Sequence, residues 1–330
     1  MSDETIEKTF QVADPARLII SNIRGSITIQ PGEANVIQVS AVKHGNFDSG
    51  RYGIDMSQDS DGSVRIETRA NETMFGLFSF PPRVEYSLHV PQGVHLDASG
   101  VSSTLNVSGL EGVFKFKTVS GDIDLAHLTG TFKLNAVSGD ITGSHLNGLL
   151  DLSTVSGRVR LLESSFPTAN ASTVSGNLTF QTAISDGPYH FSSVSGSVHM
   201  LVPSDARCTV ELNSVSGSIR SSLPATTTRM GHGLKVTQIQ GGGTAVRLKS
   251  VSGNVVIETE GVPASPVPGD VSTFEGHFSH IPPIPPIPPI PNPSTGSPTP
   301  APLSTAEILQ RIERGEMTVD EAIKLMKDQS

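Results

Sequence analysis

The sequence predicts an all-β protein, a right-handed parallel β-solenoid (β-helix) with coils of 18–21 residues. Three observations predict this fold: a repeated tripeptide, an alternation of apolar and polar residues around each copy, and a repeat too short to bury its own apolar face. The tripeptide Val-Ser-Gly begins at Val119, Val137, Val155, Val174, Val194, Val215 and Val251. Successive copies are 18, 18, 19, 20, 21 and 36 residues apart.

The residues before each of these valines alternate between apolar and polar types. Five residues before the valine are Phe114, Phe132, Leu150, Ala169, Tyr189, Val210 and Val246, and three before it are Phe116, Leu134, Leu152, Ala171, Phe191, Leu212 and Leu248. The residues between these two columns are polar, as in Lys115, Lys133 and Asp151. A period of two is typical of a strand with one buried face.

A second strand is predicted after each glycine of the repeat. The second residue beyond the glycine is aliphatic in every copy: Ile123, Ile141, Val159, Leu178, Val198, Ile219 and Val255. We interpret the glycines as corners that permit a positive φ or a close backbone approach, namely Gly121, Gly139, Gly157, Gly176, Gly196, Gly217 and Gly253. A serine present in every copy suits a corner that hydrogen-bonds local backbone better than a single activated nucleophile.

The repeat length decides how the units associate. A unit of 18–21 residues cannot hide its apolar face alone, so successive units must stack. Stacking places equivalent residues about 4.8 Å apart and turns each aliphatic column into an internal ladder. Parallel strands joined by crossovers follow the right-handed rule, which favours a right-handed solenoid. A β-sandwich is the competing fold.

Two regions depart from the regular repeat. The 36-residue step from Val215 to Val251 indicates a missing or degenerate coil plus an inserted loop. Residues 1–97 are expected to form irregular first coils and a cap, and Gly100 is the expected first corner. The apolar segment 74–80 is expected to pack on the end coil.

Composition divides the chain into a solenoid domain at 1–260, with its repeats at 98–260, a Pro-rich linker at 261–302 and a two-helix module at 303–330. Fourteen of the 23 prolines lie in that linker, and its Ile-Pro-Pro run predicts a polyproline II helix with the isoleucines on one edge. The two helices have too little core to be stable alone. We therefore predict that they associate with a second copy, the solenoid or a protein partner through Ile308, Leu309, Ile312, Ile323 and Met326.

Composition also excludes several classes of function. The chain carries 23 basic and 32 acidic residues with no basic run, which excludes nucleic acid as the expected partner. No apolar stretch reaches the length of about 20 residues that crosses a bilayer, so no transmembrane segment is predicted. The first ten residues lack an export signal, from which we expect a cytoplasmic protein; a membrane-associated partner or association with the envelope stays open.

The sequence carries no established catalytic motif, so we assign no catalytic residue and no cofactor. Asp122 and Asp140 would stack on adjacent coils and are the metal-ligand candidates, because two close carboxylates can recruit a cation. With Arg158 one coil further, they also define the enzyme alternative, a carbohydrate-active β-helix.

The tandem Val-Ser-Gly-Asp-Ile units at 119–123 and 137–141 resemble those of a bacterial putative-adhesin family, a β-repeat domain of unknown function. Residues 23–29 and 86–91 are also similar to that family, and the resemblance covers about residues 15–260. The tail at 308–322 resembles the "short C-terminal domain" (SHOCT-like) type of two-helix module. That second resemblance implies protein–protein contact or oligomerisation.

These observations together predict a non-enzymatic, adhesin-like β-solenoid scaffold. Its flat faces, rich in Ser, Thr and Asn, would serve for recognition, and the helical tail would mediate self-association or recruit a partner. The alternatives are the carbohydrate-active enzyme and, implied by the family resemblance alone, an accessory protein of a bacterial envelope-stress system.

Overall fold

The structure, a computed structural model, describes residues 3–44, 52–70, 83–184, 187–231 and 233–259. Every regular element within these ranges is a β-strand, and there are twenty of them. That part of the chain therefore contains no helix long and apolar enough to cross a bilayer. The predicted linker and two-helix module, the apolar segment 74–80, and the interaction residues Ile308, Leu309, Ile312, Ile323 and Met326 lie outside the described residues.

The strands fall into three groups along the chain. The first group is β1 (Glu4–Gln11), β2 (Ala16–Pro31), β3 (Val36–His44), β4 (Tyr52–Gln58), β5 (Val64–Ala70) and β6 (Arg83–Val90). The second is β7 (Gly93–Ser108), β8 (Glu111–Thr118), β9 (Ile123–Ala136), β10 (Ile141–Thr154) and β11 (Val159–Thr173). The third is β12 (Leu178–Thr182), β13 (Tyr189–Ser193), β14 (Val198–Val202), β15 (Cys208–Ser214), β16 (Ile219–Ser221), β17 (Ala225–Arg229), β18 (Leu234–Ile239), β19 (Thr244–Ser250) and β20 (Val255–Thr259).

The strands form two sheets, and long strands such as β9 and β10 turn a corner from one sheet into the other. Sheet A has the strand order β1-β3-β6-β2-β7-β9-β10-β11-β12-β14-β20-β16. Sheet B has the order β4-β5-β2-β7-β8-β9-β10-β11-β13-β19-β15-β18-β17. Each regular coil thus contributes one strand to each sheet.

Neighbouring coils pair in parallel and in register with the repeat. Ile141 lies opposite Ile123 and also opposite Val159, so the aliphatic residues of three coils stack directly. This register confirms the predicted parallel β-solenoid over the alternative β-sandwich, in which neighbouring strands would be mainly antiparallel. The right-handed sense stays a prediction.

The core lies between the two sheets and consists of the predicted columns. All fourteen apolar residues three and five positions before the repeat valines are buried, and so are six of the seven aliphatic residues after the glycines, while Ile219 at the sheet edge is partly buried. Phe114 stacks on Phe132 with ring centroids 5.4 Å apart, and Phe132 meets Phe166 edge-on at 6.4 Å. Such aromatic pairs stabilise the core beyond their buried area.

Antiparallel strands cover the N-terminal end of the solenoid. In sheet A, β3 pairs antiparallel with β6 and β1 pairs antiparallel with β3. In sheet B, β4 pairs antiparallel with β5. This arrangement continues the hydrogen bonding that an open coil would leave unsatisfied.

A buried polar network joins this cap to the first coils. The side-chain amide of Asn22 donates to the Val84 carbonyl at 2.8 Å and to Ser103 Oγ at 3.1 Å, and its Oδ1 accepts from Thr68 at 3.1 Å. Thr68 is also hydrogen-bonded to the Tyr86 hydroxyl at 2.8 Å. Burial raises the pKa of Tyr86 to about 12, so its hydroxyl stays neutral. The network satisfies polar groups whose burial would otherwise destabilise the fold.

The structure corrects the interpretation of the 36-residue step. No coil is missing or degenerate: β15 and β16 form the coil that follows Val194, and β19 and β20 form the coil around Val251. That last coil inserts between its two predecessors in the chain, because β19 pairs with both β13 and β15, and β20 pairs with both β14 and β16. The inserted segment is the β17–β18 hairpin, which pairs antiparallel with β15 at the open end of sheet B.

The first corner also differs from the prediction. Gly100 pairs with Thr118 and therefore stands before the corner. The corner itself is formed by Val101, Ser102 and Ser103: Val101 packs with the repeat valines, and the Ser103 carbonyl faces Gly121. Ser103 lies in register with Gly25 of the preceding coil, and its hydroxyl accepts a hydrogen bond from the Asn22 side-chain amide at 3.1 Å.

Substitutions on the buried and exposed faces of the strands are predicted to lower the free energy of unfolding by very different amounts. Val159 is fully buried in the aliphatic ladder, so Val159→Asp should lower the free energy of unfolding by about 3 kcal/mol or more, because it buries an unpaired charge. Asp151→Ser, on the exposed face, removes a 3.1 Å hydrogen bond from Asn170 and should cost about 0.5 kcal/mol. Urea unfolding measures both, and equal losses would contradict the inward and outward assignments.

Candidate functional site

The repeat corner is held by backbone and serine hydrogen bonds between coils. The Ser138 amide donates to the Val119 carbonyl at 2.8 Å, and the Ser138 hydroxyl donates to the same oxygen at 3.1 Å. The equivalent amide bond occurs at every Val-Ser-Gly corner. The serines therefore bond the coil before their own, which differs from the expected bond to adjacent backbone and leaves them a structural role.

The seven predicted corner glycines lie in one column where backbones approach closely. A Cβ built on any of them would lie between 1.8 Å and 2.4 Å from a carbonyl oxygen of the neighbouring coil; for Gly139 that oxygen belongs to Gly121 at 1.9 Å. No side chain can occupy such a position without separating the coils. The close approach, and not a positive φ, is the reason for glycine at most of these corners, and Gly157 alone of the seven combines both.

Two further columns support the corners and were not identified from the sequence. Hydroxyl groups three residues before the glycine accept its amide proton, as in Gly121 to Thr118 at 2.9 Å and Gly196 to Ser193 at 2.8 Å. A second glycine column, Gly112, Gly130 and Gly148, makes the same close approach at the opposite corner. Two features of the sequence could have identified these columns: the hydroxyl residue three positions before the corner glycine, and the 18-residue spacing of the second set of glycines.

The structure places Asp122 and Asp140 on adjacent coils and gives each carboxylate a backbone amide as its hydrogen-bond partner. Asp122 Oδ1 accepts the Asp140 amide proton at 2.9 Å, and Asp140 Oδ1 accepts the Arg158 amide proton at 2.7 Å. Asn177 and Asn254 make the same bond further along the solenoid. This arrangement can stabilise stacking without a cation. Among the described residues no group of three or more His, Cys, Asp or Glu side chains could hold a metal ion.

The opposite corner carries a short stack of ionisable side chains. His127, His145 and Glu163 occupy equivalent positions with φ near 50°. The rings of His127 and His145 stack with centroids 4.5 Å apart, and His145 Nε2 lies 3.0 Å from Glu163 Oε2. These side chains follow one another along the solenoid and do not converge on a common point.

The outer surface of sheet A offers the most continuous candidate for binding. We call the two outward-facing columns from β2 to β12 the polar face: Thr28, Gln30, Asn106, Ser108, Asp124, Ala126, Thr142, Ser144, Arg160, Leu162, Thr179 and Gln181. None of these side chains is buried. An open groove of about 320 Å³ crosses the face between Thr28 and Ser144. Small side chains such as Ser108 and Ala126 form its floor.

Asp124 is the ionisable group in this groove. Desolvation raises the pKa of its carboxyl group above the ordinary value, and repulsion from the Asp122 carboxylate raises it further. The groove thus holds one carboxylate whose charge the fold disfavours, among neutral hydroxyl and amide groups.

The polar face continues without interruption onto the N-terminal cap. Thr28 pairs with Ser87 and Gln30 with His89 across β2 and β6. A second groove of about 280 Å³ lies beyond them, lined by Glu7, Gln38, Ser40 and His89 among others. The two grooves open on the same side of the molecule.

Burial makes the single cysteine unreactive. Cys208 lies fully inside the core, and desolvation raises the pKa of its thiol to about 11. A protonated, inaccessible thiol is neither a nucleophile nor a metal ligand.

Comparison with known proteins identifies a family. The family model described as Toastrack DUF4097 matches residues 16–258. No curated protein matches the chain.

Solved structures from three bacteria are similar at low identity. A putative cell adhesion protein from Clostridium sporogenes is 10% identical with a TM-score of 0.25, covering 78% of this chain and 100% of its own. A putative adhesin from Bacteroides fragilis is 12% identical with a TM-score of 0.42, covering 78% and 97%. A putative lipid-binding protein from Parabacteroides distasonis is 11% identical with a TM-score of 0.34, covering 78% and 96%.

The corner geometry predicts that adding a single methyl group at a corner glycine strongly lowers the free energy of unfolding. Gly139→Ala would place its Cβ against the Gly121 carbonyl and should lower the free energy of unfolding by about 3 kcal/mol or more, or prevent folding. Gly53→Ala is the control, because nothing lies within 4 Å of its added Cβ; it should change stability by no more than about 1 kcal/mol, in the stabilising direction. Similar urea midpoints for both variants would contradict the close approach.

The raised pKa of Asp124 predicts that replacing its carboxyl group with a neutral amide stabilises the fold, by an amount that depends on pH. Because its pKa is higher folded than unfolded, the carboxyl group favours the fold below about pH 3.8, and this contribution is lost as the pH rises through the folded pKa. Asp124→Asn should therefore raise the melting temperature at pH 7 and leave it unchanged near pH 3. Asp205→Asn, in an exposed turn, is the control and should have no effect at pH 7. A lower melting temperature for Asp124→Asn at pH 7 would contradict the assignment.

Proposed function

This chain belongs to the Toastrack DUF4097 family, and on that premise we propose that it works as a non-enzymatic recognition scaffold that binds an extended, hydroxyl-rich ligand on the polar face. The observation that carries the proposal is the continuity of that face across the coils, with a groove along it. The surface is flat and rigid because every strand of the polar face is hydrogen-bonded on both sides.

The chemistry of the polar face favours a neutral polar ligand. Of its twelve side chains, eight are neutral hydroxyl or amide groups, and two, Asp124 and Arg160, carry charge. Hydroxyl and amide groups both donate and accept hydrogen bonds, so they match the hydroxyl groups of a glycan chain in either direction. A strongly charged ligand would meet few counter-charges on this surface.

The shape of the polar face favours an extended ligand. The groove is open along the solenoid and shallow, unlike the enclosed pockets that bury most of a small molecule. The side chains of each column follow one another at the strand spacing of about 4.8 Å, which presents hydrogen-bonding groups along one line. A polymer can contact several coils at once, and the rigid sheet loses little conformational entropy on binding.

The geometry disfavours the carbohydrate-active alternative at Asp122, Asp140 and Arg158. Both carboxylates accept backbone amide protons from the next coil, which fixes their orientation and engages one oxygen of each in the stacking of the coils. The corner aspartates therefore fit a structural role.

The proposal includes a role for the C-terminal module. Self-association or partner recruitment through residues 303–330 would give the scaffold several polar faces in one assembly, and multivalent attachment multiplies weak single-site binding. The polar face and the C-terminal module would then act as separate functional parts.

A charge placed in the groove tests the proposed binding surface. Thr142→Arg should reduce binding to hydroxyl-rich glycans on a glycan array by about tenfold or more, because the long side chain fills the groove and displaces neutral hydrogen bonds. Asn170→Arg adds the same charge on the outer side of sheet B and is the matched control. Equal binding by the two variants, or no glycan binding by the parent protein, would refute the proposal.

A further inference from the structure

The valines of the repeat form a column of their own, separate from the main core. In spatial order this valine ladder is Val101, Val119, Val137, Val155, Val174, Val194, Val251 and Val215. Val119 and Val137 are fully buried, and Val101 and Val155 are at most 8% exposed. Exposure then rises along the ladder to 43% at Val194, 51% at Val251 and 85% at Val215.

The exposed end of the valine ladder is the main apolar patch of the described surface. Among the six large hydrophobic residues that stand exposed there, three are Val194, Val251 and Val215. A fourth, Met230, lies in the turn of the β17–β18 hairpin, which reaches the same end of β15 because Leu234 pairs with Asn213. A contiguous apolar patch on a polar protein indicates a docking surface.

We propose that the Ile-Pro-Pro segment of the same chain, residues 281–291, docks on the exposed end of the valine ladder. Two successive isoleucines of Ile281, Ile284, Ile287 and Ile290 would contact Val215 and Val194, and the prolines between them would cover Val251. The segment would then fasten the C-terminal part of the chain along the edge of the solenoid.

The two repeats have matching periods. A polyproline II helix rises about 3.1 Å per residue, so isoleucines three residues apart lie about 9.3 Å apart on one edge. Neighbouring valines of the ladder lie about 4.8 Å apart, so alternate valines lie about 9.6 Å apart. Two successive isoleucines can therefore contact Val215 and Val194 together.

The length of the connecting chain determines whether residues 281–291 or the apolar segment 74–80 can reach the exposed end of the valine ladder. The 21 residues between Thr259 and Ile281 can extend about 70 Å, which reaches any point of the ladder. Residues 71–82 join β5 to β6, whose coil lies seven steps, or about 34 Å, from Val194. Twelve residues fixed at both ends can reach out about 20 Å, so that segment cannot cover the exposed end.

The chemistry of the segment suits an apolar surface. Two of every three residues are prolines, which carry no amide proton, so covering the valines desolvates few hydrogen-bond donors. A run rich in proline favours the polyproline II conformation before binding, which would lower the conformational entropy lost on docking. The tether also raises the effective concentration to the millimolar range, so weak contacts suffice.

The absence of tryptophan from the sequence allows a direct test in the full chain. Ile287→Trp introduces a single fluorophore into the segment. Docking should shift its emission to shorter wavelength and lower the acrylamide quenching constant by about threefold relative to a peptide of residues 278–294 with the same substitution, as expected when most of the tethered segment is bound. Adding Val215→Asp, at the most exposed position of the ladder, should restore the quenching of the free peptide.

Val113→Asp is the matched control, because Val113 is 46% exposed but lies on sheet B away from the ladder, and it should leave the protection intact. Unchanged thermal unfolding of each aspartate variant shows that the solenoid is folded. The proposal is overturned by peptide-like quenching in the parent Ile287→Trp protein, or by equal effects of Val215→Asp and Val113→Asp. Protection that appears only at high protein concentration would overturn it in favour of a second copy, and protection abolished by Ile323→Ser would overturn it in favour of the helical module.

Discussion

The close approach of backbones at the repeat corners is the constraint on which the rest of the structure depends. A carbonyl oxygen of one coil occupies the place of a Cβ in the next, as between Gly121 and Gly139, so the coils stack at the spacing of hydrogen-bonded strands. That contact puts each repeat serine in reach of the preceding valine carbonyl and each corner aspartate in reach of the next amide. The valine ladder, the aliphatic core and the polar face follow from the same spacing.

The sequence predicted the coil and its buried faces because the signal recurs in every repeat. Residues such as Phe132, Leu134 and Ile141 fall at fixed distances from Val-Ser-Gly, and repetition separates this pattern from chance. It could not predict the order of the last two coils, because Val251 and Val215 carry the same local pattern whichever neighbour they contact. In the structure the β17–β18 hairpin pairs with one side of β15 at the open end of sheet B, and β19 pairs with the other side. The corner at Val101 was misplaced because Ser103 replaces the glycine.

The candidate site was predictable in composition and not in geometry. Outward columns rich in Ser, Thr and Asn follow directly from the alternation, but the groove arises where small groups such as Ser108 and Ala126 neighbour each other on adjacent strands. The bonding of Asp122 and Asp140 was equally hidden, since their partners are backbone amides 18 residues away, which no side-chain motif records. Asp124 acquires its raised pKa from desolvation in the assembled sheet and from the neighbouring Asp122 carboxylate.

The insertion of β19 and β20 between earlier strands has a consequence for how the protein assembles. During synthesis each coil up to β14 can settle on the one before it as it emerges, whereas β15 and β16 must wait, because their parallel neighbours are made last. Residues 244–259 therefore connect the earlier coils to β15 and β16. A nascent or truncated chain that lacks these residues has a gap one strand wide in sheet A and in sheet B. Late pairing of this kind is slow and leaves strand edges open to other chains. It also prevents an additional repeat appended after β20 from pairing with that strand, because both sides of β20 are already paired, with β14 and with β16.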